Sequence, residues 1–307
     1  MNIDLKALFT MAVIIWSSGR GTKRNKGSNN KISLLLVSAI LLSSWMLQLS
    51  LAEKFEPYTL NGGLVSAVAG KNFCIAACDT RMIGEGGYIL ESRNHLSNRL
   101  WTVDDDTLMV EIEDTLRSDL DSPEVQEIEV QDTLSNRAPV LVGSSGCSTD
   151  CCQLQRTLRA DFRAASYFGQ ITRSDPDQVA NLLSQTLYER RGFPYYSFCV
   201  VSGLDKGQGK AYVYDAIGSY ERVAVAAAGT GRELLQPILD RMFEAKTDNK
   251  MVDGTVSEAV ETLCKAYRSV SEREIGVGDK LILHVSETVK DSDKVRRRVL
   301  VVPLKQH

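Results

Sequence analysis

Lysine is missing from the 134 residues between Lys71 and Lys206, and histidine is scarce everywhere, His95, His284 and His307 being the only three in 307 residues. The first absence removes from that stretch the ammonium on which a phosphate-binding loop or a lysine-supported nucleophile depends. The second argues against zinc, because a tetrahedral site wants two separated pairs of histidine or cysteine ligands. Cysteine itself is not rare. Yet Cys74, Cys78, Cys147, Cys151, Cys152, Cys199 and Cys264 are odd in number and lack the paired spacings of a disulfide framework. The run CSTDCC, Cys147–Cys152, then reads as buried or interfacial thiols. No metal or cofactor is expected, and reduced thiols suit the cytoplasm and nucleus.

Charge is spread unevenly along the chain. Asp104–Asp132 holds twelve acidic residues against the single base Arg117, a local charge of −11, whereas residues 1–52 carry +5. The remainder is nearly neutral, so no domain face is basic enough to suggest nucleic acid. A hydrophobic content of 43% with 24% charged residues excludes disorder throughout. Ile32–Ala52 is a run of 21 residues without a charge behind the basic RGTKRNK of Arg20–Lys26, and at 1.5 Å per residue it is long enough to span a bilayer. Two readings of residues 1–52 stay open: a signal-like anchor, or an extension that the mature chain lacks. The body is residues 53–307.

From Phe55 onward the pattern runs strands, two helices, strands, two helices, strands. LVSAVAG and FCIAACD make a hairpin about Gly70–Asn72, NRLWTVDDD continues the sheet, and APVLVGSSG is a buried strand ending in small residues. Asp150 is placed to cap a first helix with Leu154, Leu158 and Phe162 a turn apart, and Pro176 opens a second with Val179, Leu182, Leu183 and Leu187 on one stripe. YYSFCVVSGLDKGQGKAYVYDAIGSYERVAVAAAG reads as three strands with turns at Asp205–Gly209 and Asp215–Gly218. A third helix presents Leu234, Leu235, Ile238, Leu239 and Met242 and tolerates Pro237 as a kink. A fourth runs from Ser257 to about Glu274, and DKLILHVSET with RRRVLVVPL closes as a hairpin. Strands grouped apart from helix pairs predict stacked sheets with helices outside. The acidic segment, residues 107–136, reads as an insertion between two strands, a solvated hairpin or an acidic loop, since its charge opposes burial.

RRGFPYYSFCVVSGLDKGQGKAYVYDAIGSYERVAVAAAGTGRELLQPILD, Arg190–Asp240, closely resembles the beta-type subunits of the 20S proteasome. Arg190 and Arg191, Phe193–Tyr196, Gly203–Asp205, Gly218–Tyr220 and Leu235–Pro237 carry the match, with EKFEPYTLNGG, CDTR and SEREIGVGDKL at its ends. Within the family it looks most like the noncatalytic beta type-1 class, in the sixth beta position. The resemblance implies an α+β fold, the four-layer αββα sandwich of N-terminal nucleophile hydrolases. It also implies a chemistry to test: active members cut after a glycine to expose a threonine whose hydroxyl attacks while its own amine is the base, with a lysine, an aspartate and a Gly-rich turn in support.

Counting back from Asp79, the nucleophile position falls on Gly63, which has no side chain. Leu64 and Val65 cannot substitute, and Ser66 lies inside the strand. The lysine is absent, and the local candidates His95 and Ser97 hold no fixed positive charge at neutral pH. The further aspartate and serine of active members correspond to Glu274 and Val277. Only Asp79 and a hydroxyl at Thr230 remain, and each also has a structural reading, Asp79 as an acceptor at a strand end and Thr230 as the cap of the third helix.

The resemblance therefore implies a noncatalytic ring subunit, partnered by alpha and beta subunits of a threonine endopeptidase, that works in ATP- and ubiquitin-dependent protein degradation. Asp215 matches a position where the family lends an acid to the neighbouring chymotrypsin-like pocket; as a turn residue it needs no such role. Two alternatives stand beside this: an active threonine-type peptidase with an unusual nucleophile, and a membrane or secretory protein reusing the fold, for which only Ile32–Ala52 speaks.

Overall fold

The computed structural model describes residues 58–84, 88, 99–103, 126–130, 138–169, 174–243, 247–248, 250–289 and 294–304, with backbone alone for 126–130 and 247–248. Residues 1–52, His95, Ser97 and most of 107–136 lie outside the described residues. In chain order the elements are β1 (Leu64–Ala69), β2 (Phe73–Asp79), β3 (Leu100–Thr102), β4 (Gln126–Val130), β5 (Leu141–Gly146), α1 (Ser148–Tyr167), α2 (Pro176–Glu189), β6 (Ser197–Asp205), β7 (Gln208–Tyr214), β8 (Tyr220–Val223), β9 (Val225–Gly229), α3 (Arg232–Phe243), β10 (Thr247–Asp248), β11 (Met251–Val252), α4 (Val256–Ser271), β12 (Lys280–Thr288) and β13 (Val295–Pro303).

Two antiparallel sheets stack face to face. One has the order β4-β13-β12-β2-β1-β9 and the other β3-β5-β6-β7-β8. The β1–β2 hairpin sits inside the first sheet and is buried on both faces. Alternation divides its side chains: Leu64, Val68, Phe73 and Ile75 meet α3 and α4, while Val65, Ala67, Ala76 and Cys78 face the second sheet with Val200, Ala211 and Ile282. A third apolar layer joins the second sheet to α1 and α2 through Trp101, Val142, Leu158, Leu183 and Val201. The molecule is thus helices, sheet, sheet, helices, the expected αββα sandwich.

The helices bury the stripes their periodicity dictates, with local differences. Leu154, Leu158 and Phe162 of α1 are buried as expected, but Cys147 occupies the cap position, and its side chain makes no capping bond to the helix backbone. Asp150 instead accepts from the Tyr196 amide at 2.8 Å, tying α1 to β6. On α2, Asp175 caps through the Asp177 amide and Pro176 starts the first turn. On α3, Leu235, Leu239 and Phe243 form the buried stripe, whereas Leu234 and Met242 face outward; a 3.6-residue repeat admits only one such face. α4 buries Ala259, Leu263, Tyr267 and Val270, and Tyr267 exchanges a hydrogen bond with Ser66 of β1 at 2.9 Å. The stretch read as one strand after the Asp215 turn is two. β8 pairs with β7 in one sheet, Ala224 carries the chain across, and β9 pairs with β1 in the other. The acidic segment is more than a loop, since Gln126–Val130 forms the edge strand beside β13. No helix among the described residues is long and apolar enough to cross a membrane.

Candidate functional site

Of the residues singled out by sequence, Gly63, Asp79, Thr230, Glu274 and Val277 converge where β1 begins. Gly63 enters β1 with φ +97, after Gly62 with φ +70, both left-handed backbone values that suit glycine. Its amide is an ordinary peptide nitrogen that donates to the Gly276 carbonyl at 2.9 Å. Its carbonyl accepts from the Thr230 amide at 3.0 Å and from Ser145 Oγ at 2.9 Å, with Thr230 Oγ1 at 3.3 Å. Thr230 therefore turns its hydroxyl back to Gly63, not into α3 as a cap.

The approach to Gly63 is built in as firmly. Asn61 donates from its amide to Gly146 O and from Nδ2 to Ile83 O, and its Oδ1 accepts from the Ser148 amide at 2.8 Å, in the first turn of α1. Three residues earlier, the Tyr58 ring stacks between Phe193 and Tyr196, and its hydroxyl donates to Pro194 O at 2.8 Å. The chain from Tyr58 to Gly63 is thus fastened at Tyr58, Asn61 and Gly63.

Beneath Gly63 are two buried ion pairs. Asp79, at the end of β2, accepts from the Leu64 amide at 2.8 Å and the Gly278 amide at 3.1 Å, and Arg99 Nε stands 3.3 Å from its Oδ1. Burial pushes the Asp79 carboxyl up to about 6, against the opposing pull of Arg99 and of those amides. Arg99 also donates to the Arg81 carbonyl, and Arg81 pairs with Asp279 at 3.0 Å. Of the local candidates named for the absent lysine's place, His95 and Ser97 lie outside the described residues, and the cation beside Asp79 is Arg99. The usable signal was local: Arg99 directly precedes LWT, the short apolar strand that leads away from the site.

Arg99 fills the space that a side chain at position 63 would need. A Cβ placed on Gly63 would collide with Arg99 Cζ, Nε and Nη2. Of the two further positions singled out by sequence, Glu274 Oε1 accepts from the Gly276 amide at 3.2 Å and shapes the loop, while Val277 is buried in the helix-side core. Cys78 and Cys151 are two thiols within electrostatic reach of Arg99. Burial pushes Cys78 up to about 12 and also raises Cys151, which donates to Ser197 Oγ at 3.3 Å. Neither holds thiolate character near neutrality. The two hydroxyls beside Gly63, Ser145 Oγ and Thr230 Oγ1, both donate to its carbonyl.

Asp215 lies in the exposed turn between β7 and β8, where its Oδ1 accepts from the amides of Ile217 at 3.0 Å and Ser219 at 2.8 Å. Gly218, φ +92, lets the turn press against α2, and Ser184 Oγ donates to its carbonyl at 2.6 Å. A cleft of about 580 Å³ runs nearby, with Leu60, Tyr196, Tyr214, Thr230 and Gln236 among its lining residues. No disulfide joins the seven cysteines. The carboxylates of Asp175, Asp177 and Asp205 lie together, but Lys210 Nζ reaches both Asp177 and Asp205 at 2.7 Å.

The family model described as Proteasome subunit matches residues 137–285. The chain is 33% identical over 234 residues to Proteasome subunit beta type-1 of Arabidopsis thaliana, covering 74% of this chain and 88% of that protein. It is 32% identical over 232 residues to Proteasome subunit beta type-1 of Danio rerio, covering 75% and 82%. For the protein of the same name in Dictyostelium discoideum the identity is 32% over 231 residues. The chain belongs to the proteasome subunit family, among its beta-type members.

Proposed function

We propose that this chain is a noncatalytic, structural beta subunit of the 20S core particle. One observation carries the reading: the nucleophile position is Gly63, and the guanidinium of Arg99 occupies the space a side chain there would need. Arginine cannot serve as the tunable ammonium that supports an N-terminal threonine. The subunit completes the beta ring between the chymotrypsin-like catalytic subunit and the seventh beta subunit, against alpha subunits and the opposite beta ring. It works in ATP- and ubiquitin-dependent degradation in cytoplasm and nucleus.

Residues 1–52 are a dispensable extension in this reading, because an exposed uncharged run of 21 residues on a soluble particle is an aggregation site. The fastening of Tyr58 and Asn61 supports a mature chain that keeps everything from Tyr58 onward.

The test is labelling of purified particles with a threonine-directed covalent inhibitor, with N-termini mapped by mass spectrometry. The catalytic subunits take label and this chain does not; a labelled N-terminal peptide from this chain would overturn the reading. Gly63→Thr alone is expected to remain unlabelled, because Arg99 stays in place. Intact mass of the subunit from the same particles reports the fate of residues 1–52.

A further inference from the structure

Asn61 is followed by Gly62, and no other asparagine of the chain precedes a glycine. Asparagine is a thermolabile residue, and here the next residue has no Cβ to keep its nitrogen from swinging onto the asparagine side chain. The ring closure is an internal substitution: Gly62 N bonds to Asn61 Cγ, the Cγ–Nδ2 bond breaks, and Nδ2 leaves as ammonia with the proton of the Gly62 amide. Water then opens the imide at either carbonyl. The products are aspartate and isoaspartate at position 61, reached with water in, ammonia out and no oxidant.

Hydrogen bonds hold both partners of that reaction apart. The Asn61 side chain is fixed at both ends, Nδ2 donating to Ile83 O at 3.1 Å and Oδ1 accepting from the Ser148 amide at 2.8 Å. The peptide plane that carries Gly62 N is fixed through its own carbonyl, since Asn61 O accepts from the Ile83 amide at 3.1 Å. On either side of that plane, Asn61 N donates to Gly146 O at 3.0 Å and Gly62 O accepts from Ser145 Oγ at 3.1 Å. Asn61 is also 9% exposed, which keeps water and hydroxide away. Ring closure must break several of these bonds together.

The same bonds define what the products lose. A carboxylate has no proton for Ile83 O and sets a negative oxygen against it in a nearly buried place. Isoaspartate moves a methylene into the main chain, so the bond from residue 61 to Gly146 and the bond from Gly63 to Gly276 no longer fit one register.

We propose that Asn61 is a modification site that the fold keeps latent: while Tyr58–Gly63 is seated the Asn61–Gly62 pair is protected, and each opening exposes it to deamidation, which prevents reseating. A chain that stays open is thereby marked irreversibly. The inference is independent of whether Gly63 is catalytically empty.

The experiment incubates the full-length chain, folded or unfolded in urea, at mildly alkaline pH and follows the Asn61 peptide by mass spectrometry for the one-dalton gain of deamidation. The folded chain is expected to react at least tenfold more slowly, because chemistry on a rapidly reclosing form follows the open population. The remaining asparagines, without a following glycine, are the internal control for general hydrolysis. The Asn61→Asp variant is expected to exchange its Ile83 and Ser148 amides tenfold or more faster than the unaltered chain, with the amides of Val256–Ser271 reporting global unfolding. If that variant loses protection in Val256–Ser271 as well, aged chain separated by its added negative charge supplies the comparison under the same criteria. Equal rates in folded and unfolded chain overturn the protection. Unchanged exchange of Ile83 and Ser148 in folded, modified chain overturns the release.

Discussion

Asp79 and Arg99 set the energetics at the smallest scale. A buried carboxylate that keeps a cation at 3.3 Å and two backbone donors is tolerable; the same carboxylate without the cation is not. Arg99→Met should cost about 3–5 kcal/mol of stability in chemical denaturation, the usual penalty for stranding one member of a buried pair. Replacing both, Asp79→Leu with Arg99→Met, should cost less than Arg99→Met alone. A double variant that loses the sum of the two single losses would show that Asp79 and Arg99 are not coupled. His284 acts in the opposite pH direction from Asp79. Burial, and secondarily Arg297, lowers it from the ordinary 6.5 to about 4. The unfolded chain binds this proton first, so the His284 contribution is complete above 6.5 and is lost as pH falls toward 4. Asp79, raised from 3.8 to about 6, contributes stability that is complete below 3.8 and is lost as pH rises through 6. His284→Asn should therefore flatten the acid-side loss by at most about 3 kcal/mol between pH 6.5 and 4, read from denaturation midpoints across that range. An unaltered slope would mean that His284 is not the group titrating.

Helix faces decide cost at the scale of elements. Leu235 and Leu234 are neighbours of the same type, yet one is fully buried against β9 and the other is 40% exposed. Leu235→Ala should cost about 2–5 kcal/mol, and Leu234→Ala within about 0.5 kcal/mol. Equal losses would place α3 on a different face. Periodicity alone could not choose, because Leu234, Leu235, Ile238, Leu239 and Met242 are all apolar and outline two overlapping stripes. Packing on β9 and α4 selects Leu235, Leu239 and Phe243. The division at Ala224 was equally hidden. Tyr220–Gly229 reads as one continuous strand, and only the presence of two sheets shows that its halves pair with β7 and β1.

Ring assembly gives the exposed turns their meaning at the scale of the whole molecule. Asp215 is held by two amide bonds in a turn pinned to α2, so its carboxylate is presented in a fixed place. In the proposed particle, Asp215→Asn should leave assembly intact and shift the neighbouring subunit's preference between acidic and basic peptides by about 0.2–1 kcal/mol, the range of a water-exposed pair. Peptides differing in one charge, assayed on reconstituted particles, measure it. An unchanged preference makes Asp215 a turn residue only.

By itself, the chain's sequence determined most of the element order and the apolar layers, because strand alternation and helix periodicity are local facts, and the proposal of an empty nucleophile position rests on another, the identity of Gly63. Asp79 could be singled out for the same reason, as an acid ending a strand. Tertiary structure alone decided what stands in the empty place. Arg99 reaches Asp79 across twenty positions of chain, Thr230 and Gly276 bond to Gly63 from two other loops, and Gln126–Val130 finds β13 from the far side of the sequence. Those pairings depend on which backbones the two stacked sheets bring together, and no local periodicity encodes a distance between segments that the chain separates.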